Sequence, residues 1–322
     1  MKENGNMQIV ACCDKGFVMP TGVMVYSVCV NNQDVDIDFH IVLDESVSEK
    51  DKNNLADTIH QFSGKKAFFY TVGSEQTKRF PLVNASNLTR ATYYRLFLTE
   101  ILPTSIDKIL YLDGDIIVRH SLRPLWNTDI SDYAVGAVID WAEGHIEKYN
   151  RLRYPYHIGH FNAGVLLVNL DYWRKKNVIK DFMDYLNNYS DRIIHEDQDV
   201  MNVVFQNVKY KLPIKYNFQT GFLRNFPFWD YWKYEKEYKE ALNDPVIVHF
   251  TEGCKPWYAY NRYPQPYRST FYKYQDQTIW KNKQVRSGMI KRRVRVFISV
   301  ILAKMRIMMP QKPIFIDVPP ID

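Results

Sequence analysis

Cysteine is scarce in this chain. Cys12, Cys13, Cys29 and Cys254 are the four among 322 residues, and no two are spaced C-x-x-C. Adjacent Cys12 and Cys13 cannot readily meet disulfide geometry. This argues against a disulfide framework and leads us to expect reduced, mostly buried thiols in a cytoplasmic protein. Long apolar runs are also missing. No stretch reaches 18 apolar residues, so no spanning helix is expected. The opening "MKENGNMQIVACC" has no apolar core of a signal peptide. There is no internal repeat, no low-complexity linker and no glycine-rich phosphate loop after the first apolar run, "ACCDKGFVMPTG".

What remains is ample material for a packed core. Hydrophobic residues make up 46% and aromatic residues 15% of the chain, and the formal net charge is a mild +6. The first 140 or so residues alternate short apolar runs with helical patterns. "MQIVACC", "DIDFHIVLD", "KKAFFYTV" and "DKILYLDGDIIV" read as strands. "FVMPTGVMVYSVCVNN", "SVSEKDKNNLADTIHQF" and "LTRATYYRLFLTEIL" read as helices, the second opened by serine caps and acids. Strand-helix alternation predicts an α/β protein with a doubly wound, mostly parallel sheet, whose ligands bind beyond the carboxyl ends of the strands. Further strands are expected at "AVGAVID", "FNAGVLLVNL", "KYKLPIKYNF" and "PVIVHF". Helices are expected at "YWRKKNVIKDFMDYLNNY" and from "HEDQDVMN".

The run "YLDGDIIV" places Asp113 and Asp115, one glycine apart, at the end of a strand. Asp-x-Asp alone is a weak signal: Asp34/Asp36, Asp36/Asp38 and Asp197/Asp199 share it. Position distinguishes this pair. Two carboxylates beside a core repel each other and are hard to desolvate, and a hard divalent cation such as Mg²⁺ or Mn²⁺ relieves both effects. Gly114 between them would let a diphosphate approach the backbone. The spaced ligands of an EF-hand are missing, and the Gly-Thr that follows the second aspartate in haloacid-dehalogenase phosphatases is replaced by Ile116-Ile117.

Four further islands accompany the pair: "ATYYRLFL", "FNAGVLLVNLDYWR", "HEDQDVMN" and "HFTEGCKPW". In this order and spacing, from about Gln8 to Trp257, the chain resembles the family 8 glycosyltransferases. That group includes bacterial lipopolysaccharide galactosyl- and glucosyltransferases. The resemblance implies a GT-A fold, with a Rossmann-like sheet and flanking helices, and metal-dependent, retaining transfer of glucose or galactose from UDP-glucose or UDP-galactose to a saccharide. It assigns Asp113, Asp115 and His249 to Mn²⁺ (or Mg²⁺), and Lys255 and the Gly114 backbone to the donor diphosphate. Cys12 and Asp14 match positions that hold uracil and ribose. Arg95, Asp140 and Asn162 match donor-sugar contacts, and Asp197 and Gln198 match the catalytic positions. Two residues depart from the pattern: Glu252 stands where the family usually has glycine, and Gly16 where relatives often carry a polar uracil contact. Two other readings stay open. A sugar nucleotidyltransferase would need a phosphate loop that "ACCDKGFVMPTG" lacks, and a degenerate sugar-binding scaffold would lack metal-dependent UDP binding.

The composition shifts after about residue 265. "KNKQVRSGMIKRRVRVFISVILAKMRIMMP" carries nine basic residues and no acid, and Val294, Phe297, Ile298, Ile301, Met305 and Met308 share a helical face. We therefore expect a catalytic domain over 1–265 and a basic, amphipathic helical tail over 266–322. The tail would lie on an anionic membrane surface, making the protein peripheral to the inner face of the plasma membrane. No nucleic-acid motif accompanies the charge. The acceptor is expected to be lipopolysaccharide, another cell-surface glycan or a lipid-linked saccharide. The aromatic segments Asn225–Tyr238 and Trp257–Tyr267 are candidates to stack on it.

Overall fold

The computed structural model describes residues 5–73, 90–223, 231–251, 253, 255–258, 267–285, 294, 298, 301, 302 and 305. Its strands are β1 (Met7–Cys13), β2 (Ile37–Asp44), β3 (Lys65–Val72), β4 (Lys108–Leu112), β5 (Ile116–Val118), β6 (Val135–Ile139), β7 (Phe161–Asn169), β8 (Lys209–Lys211), β9 (Phe218–Gln219) and β10 (Ile247–His249). Seven form a central sheet in the order β3-β2-β1-β4-β7-β6-β8, and β5-β10-β9 form a small second sheet. The helices that matter here are α1 (Val18–Val30), α2 (Glu49–His60), α3 (Ile146–Leu152), α4 (Leu170–Lys176), α5 (Val178–Asn188), α6 (Glu196–Val204) and α7 (Arg268–Gln275).

β1, β2, β3 and β4 pair in parallel, as the strand-helix alternation predicts. β7 runs against both its neighbours, β4 and β6. This reversal builds the site. Leu112 pairs with Val165 and Ile139 with Phe161, so the ends of β4 and β6 meet the beginning of β7 at one edge of the sheet. Chain segments leaving β1, β4 and β6 and entering β7 therefore converge on one cavity.

"DKILYLDGDIIV" is not one strand. It breaks at Asp113-Gly114-Asp115, and its second half, β5, joins the small sheet against β10. "KYKLPIKYNF" also divides: Pro213 lacks the N–H a ladder requires, and a 3-10 turn, Ile214–Asn217, separates β8 from β9. The helix expected over "YWRKKNVIKDFMDYLNNY" is two, α4 and α5, hinged at Asn177 in the left-handed region (φ 51°). The helix expected at "LTRATYYRLFLTEIL" is mainly a 3-10 helix, Arg90–Phe97. α2 starts where its caps predict, with Ser48 Oγ accepting from Asp51 N at 3.2 Å.

Core side chains fill both faces of the large sheet. α1 is buried on nearly every side. One flank meets the sheets, and another receives Trp280, whose ring would lie 2.0 Å from a Cβ at Gly22. Phe271 and Trp280 are buried, and Gln275 Nε2 donates to the carbonyls of Trp280 (2.9 Å) and Lys283 (2.7 Å). Packing therefore continues past residue 265, where the sequence reading placed the domain boundary. It reaches Val285, whose N–H donates to Trp257 O at 3.0 Å. Beyond it, Val294, Ile298, Ile301 and Met305 are exposed. No helix among the described residues is long and apolar enough to cross a membrane.

Candidate active site

Asp113 and Asp115 flank the break between the two sheets. Asp113 N still donates to Gly164 O of β7 (2.8 Å), while Asp115 O accepts from Phe250 N just after β10 (3.0 Å). Gly114 has no room for a side chain: a Cβ there would lie 2.5 Å from Thr21 Oγ1 of α1. The pairing of His249 with Ile116 brings the imidazole to the carboxylates. Its Nε2 lies 3.2 Å from Asp115 Oδ1 and 3.8 Å from Asp113 Oδ2.

The surrounding hydrogen bonds fix which histidine nitrogen faces the carboxylates. The backbone N–H of Gly164 donates to Asn162 Oδ1 (3.0 Å), so that atom is the amide oxygen. Asn217 Nδ2 donates to the same oxygen (2.8 Å), which turns Asn217 Oδ1 toward His249 Nδ1 at 2.9 Å. Nδ1 therefore donates to Asn217, and Nε2 is the nitrogen that faces Asp113 and Asp115 and would ligate a cation bound there. This is the arrangement of a metal-ligating histidine held by an outer amide. One ligand atom from each of the three residues lies within 4.8 Å of the others, and two carboxylates with one imidazole suit Mn²⁺ or Mg²⁺. Gly164 closes the cradle, since a Cβ on it would meet His249 Cε1 at 2.1 Å and Asp113 Oδ2 at 2.8 Å. The residues present fit a divalent cation.

Two cations balance the carboxylates. Lys255 Nζ lies 2.6 Å from Asp115 Oδ2. Burial alone would raise the Asp115 carboxyl, but Lys255 and His249 outweigh it and hold the group well below the usual range. Arg95 reaches Asp113 Oδ1 (2.9 Å), which also accepts from Tyr111 OH (2.9 Å), and the guanidinium lies 4.5 Å from the centre of the Tyr111 ring.

Arg95 joins the metal cradle to a second group of polar residues. Its NH1 donates to Ala163 O (2.7 Å), and its Nε lies 3.0 Å from Asp197 Oδ2 while donating to Thr92 O (3.3 Å). Asp197 Oδ2 is thus buried without a hydrogen-bond donor among the described residues. Burial raises the Asp197 carboxyl to about 7; Arg95 opposes the rise, and Asp113 and Glu196 add to it. Glu196 itself sits in the left-handed region (φ 41°), an uncommon conformation for this residue at the turn into α6.

Gln198 is locked by its neighbours. Ala163 N (3.0 Å) and Asn162 Nδ2 (3.2 Å) donate to Oε1, and Nε2 donates to Asp140 Oδ2 (3.0 Å). Asp140 Oδ1 accepts from Ala142 N (2.8 Å) and Lys148 Nζ (3.2 Å). All of these residues line one cavity of about 490 Å³, together with Cys12, Asp14, Gly114, Trp141, His249 and Lys255.

Every site residue expected from the sequence lies on this cavity. The structure adds local partners that the sequence did not reveal. Asp14 Oδ1 accepts from Phe17 N (3.0 Å) in the turn that starts α1. Cys12 is half-buried and lines the cavity, whereas Cys13 is in the core. Asn217, Lys148, Tyr111 and Trp141 were missed. They come from stretches that read as strand or loop, and no spacing rule distinguishes them. Glu252, Cys254 and most of the aromatic segments lie outside the described residues.

A sheet that is mostly parallel, a carboxylate pair at the end of its fourth strand and a histidine from a small second sheet define a glycosyltransferase of the GT-A class. The galactosyltransferase LgtC, solved with donor and acceptor sugar analogues, superposes with a TM-score of 0.73 and 28% identity, covering 85% of this chain and 96% of that one. The chain belongs to glycosyl transferase family 8, whose model matches residues 8–260. Lipopolysaccharide 1,3-galactosyltransferase of Salmonella typhimurium (strain LT2) is 30% identical over 263 residues, 78% of this chain and 73% of that protein. General stress protein A of Bacillus subtilis (strain 168) is 28% identical over 284 residues, 87% and 96% of the two chains.

Proposed function

We propose that this protein transfers glucose or galactose, with retention at the anomeric carbon, from UDP-glucose or UDP-galactose to a cell-surface saccharide such as lipopolysaccharide. The observation that carries the reading is the cradle of Asp113, Asp115 and His249, the last oriented by Asn217, beside Lys255. These three ligands would hold Mn²⁺ or Mg²⁺, which when bound supplies positive charge to the departing diphosphate. Lys255 adds a second positive charge on that side, and the bare backbone at Gly114 leaves space for the phosphates. Cys12 and Asp14, at the end of β1, take the uracil and ribose. Asp197 Oδ2, buried without a donor, accepts a hydroxyl of the donor sugar, and Arg95 and Asn162 frame the same sugar.

Gln198 is a poor nucleophile and its oxygen is already held by Ala163 N. The reading is therefore front-face departure of UDP, with the donor phosphate taking the acceptor's proton and Asp197 and Gln198 stabilising positive charge on the sugar ring. A sugar covalently trapped on Asp197 or Gln198 would sink this mechanism. The overall reading is tested by calorimetry of UDP with Mn²⁺ and with excess EDTA, for wild type and Asp115→Ala, followed by UDP release from the two sugar nucleotides. Metal-dependent binding lost in the variant supports it. No binding in either condition returns the chain to the sugar-binding scaffold reading.

The same proposal places the enzyme on the inner face of the plasma membrane. Val294, Ile298, Ile301 and Met305 form an exposed apolar stripe within a segment rich in lysine and arginine. Such a face suits an anionic bilayer surface. Flotation with phosphatidylglycerol vesicles, absent with phosphatidylcholine alone and lost on truncation after Val285, is the expected result. Equal flotation of the truncated protein would remove the tail from the proposal.

A further inference from the structure

Behind the donor-sugar side of the cavity lies a buried chain of charged and polar groups in which Lys148, His160 and Arg151, outside the sequence motifs, connect Asp140 to Asp199. It begins at Asp140 and passes to Lys148 of α3, whose Nζ lies 3.2 Å from Asp140 Oδ1 and 3.5 Å from His160 Nδ1. Because Lys148 can only donate, His160 Nδ1 accepts, and the Nε2–H faces Asp199 Oδ1 at 3.6 Å. Asp199 is completed by Arg151 of α3 (2.7 Å) and by the backbone N–H groups of Ile194 and His195 (both 2.8 Å). Asp140, Lys148, His160 and Asp199 are all buried, and Arg151 is largely so. Burial lowers the imidazole of His160 to about 4, assisted by Lys148, so it is a neutral spacer between two ion pairs.

The geometry of Asp140 gives the chain its purpose. Each carboxylate oxygen faces a pair of donors: Ala142 N and Lys148 on Oδ1, Gln198 Nε2 and Asn162 Nδ2 (3.5 Å) on Oδ2. Lys148 is the cation among these four. Without it a buried carboxylate would face neutral donors alone, and burial favours its protonated form. A protonated Asp140 becomes a donor and competes for the oxygen of Gln198 that Ala163 N now holds. The Gln198 carboxamide would then lose the orientation set by its three hydrogen bonds.

We propose that Lys148 is a positioning residue for transfer: its ammonium keeps Asp140 an all-acceptor group and thereby fixes the Gln198 carboxamide beneath the donor sugar. The inference rests on the UDP-hexose reading of the cavity. Lys148 also lines the cavity itself, so the test must separate action through Asp140 from direct contact with the sugar.

The experiment compares wild type, Lys148→Met, Lys148→Gln, Asp140→Asn and the double variant Asp140→Asn/Lys148→Met. Calorimetry measures UDP binding with Mn²⁺, and UDP release is followed from UDP-galactose and UDP-glucose. Lys148→Gln is included because it retains a donor and much of the volume if Lys148→Met does not fold. The expected result is UDP affinity close to that of wild type and a kcat lowered about 100-fold with KM little changed, the order that misplacement of a reacting geometry produces. The double variant should be no slower than its slower parent, because both substitutions break the same unit. Multiplying losses, or a Lys148 variant as fast as wild type, would overturn the proposal. If wild type binds UDP but turns over neither nucleotide sugar, the hexose reading fails. A crystal structure of Lys148→Gln then decides the positioning claim: a displaced Gln198 carboxamide supports it, and one still held by Ala163 N refutes it.

Discussion

Asn217 Oδ1 lies 2.9 Å from His249 Nδ1, and that contact leaves Nε2 as the nitrogen turned toward Asp113 and Asp115. Neither residue would find this geometry alone. Asn217 is itself oriented by Asn162, and Asn162 by the N–H of Gly164. Replacing Asn217 with leucine, similar in size but without an acceptor, leaves the tautomer unspecified. Mn²⁺ affinity in the presence of UDP should fall about 10- to 100-fold, the usual effect of losing an outer partner of a ligating histidine. Calorimetry would measure it, and an unchanged affinity would show that His249 is oriented by other means.

Gly164→Ala tests the cradle from its other side. The added methyl would overlap His249 Cε1 and Asp113 Oδ2 at 2.1 and 2.8 Å. The variant should fold, since the collision involves side chains at the edge of the cavity, but destabilise by about 1–3 kcal/mol as overpacking does. Metal-dependent UDP binding should be lost. Retained binding with native stability would mean that the imidazole can move aside freely.

Asp197 predicts a pH dependence of stability in metal-free protein. Its folded-state carboxyl lies at about 7, above the roughly 3.9 of an unfolded aspartate. Between those values the folded protein holds a proton that the unfolded chain has released. The contribution to stability is therefore full below about pH 4 and is lost as pH rises through about 7, with a slope of at most about 1.4 kcal/mol per pH unit. Asp197→Asn, neutral throughout, should melt increasingly above wild type as pH is raised in EDTA. Parallel melting curves across this window would contradict the assignment.

Trp280 is the anchor of the C-terminal segment on α1. Trp280→Ala removes a buried indole seated on Gly22 and should cost about 3–5 kcal/mol. Gly22→Leu should act in the same direction by expelling the ring. Denaturant unfolding of both would check this. A loss under about 1 kcal/mol for Trp280→Ala would show that the segment is dispensable to the domain.

Much of this architecture was legible in the sequence because hydrophobic periodicity and caps are local. β1, α1, β2, α2 and β3 follow directly from apolar spacing, and Ser48 marks the start of α2. The reversal of β7 was not legible, since "FNAGVLLVNL" is equally apolar on either side of a parallel or an antiparallel neighbour. The break at Gly114 was hidden because apolar residues resume at once in β5, although they serve a different sheet. Among site residues, those in motif islands could be named, while Asn217 and Lys148 could not. Their roles arise from hydrogen bonds to residues 55 and 8 positions away, which no pattern along the chain displays.

The metal cradle takes its aspartates from the link between β4 and β5 and its histidine from β10, the last strand among the described residues. Its assembly is therefore a long-range event in folding. Contacts of such high sequence separation form only after the intervening loop has been closed at an entropic cost. A chain still emerging from the ribosome, or cut short before Ile247, contains both carboxylates but cannot complete the cradle. Tight binding of the cation thus certifies that the chain has reached its full native topology.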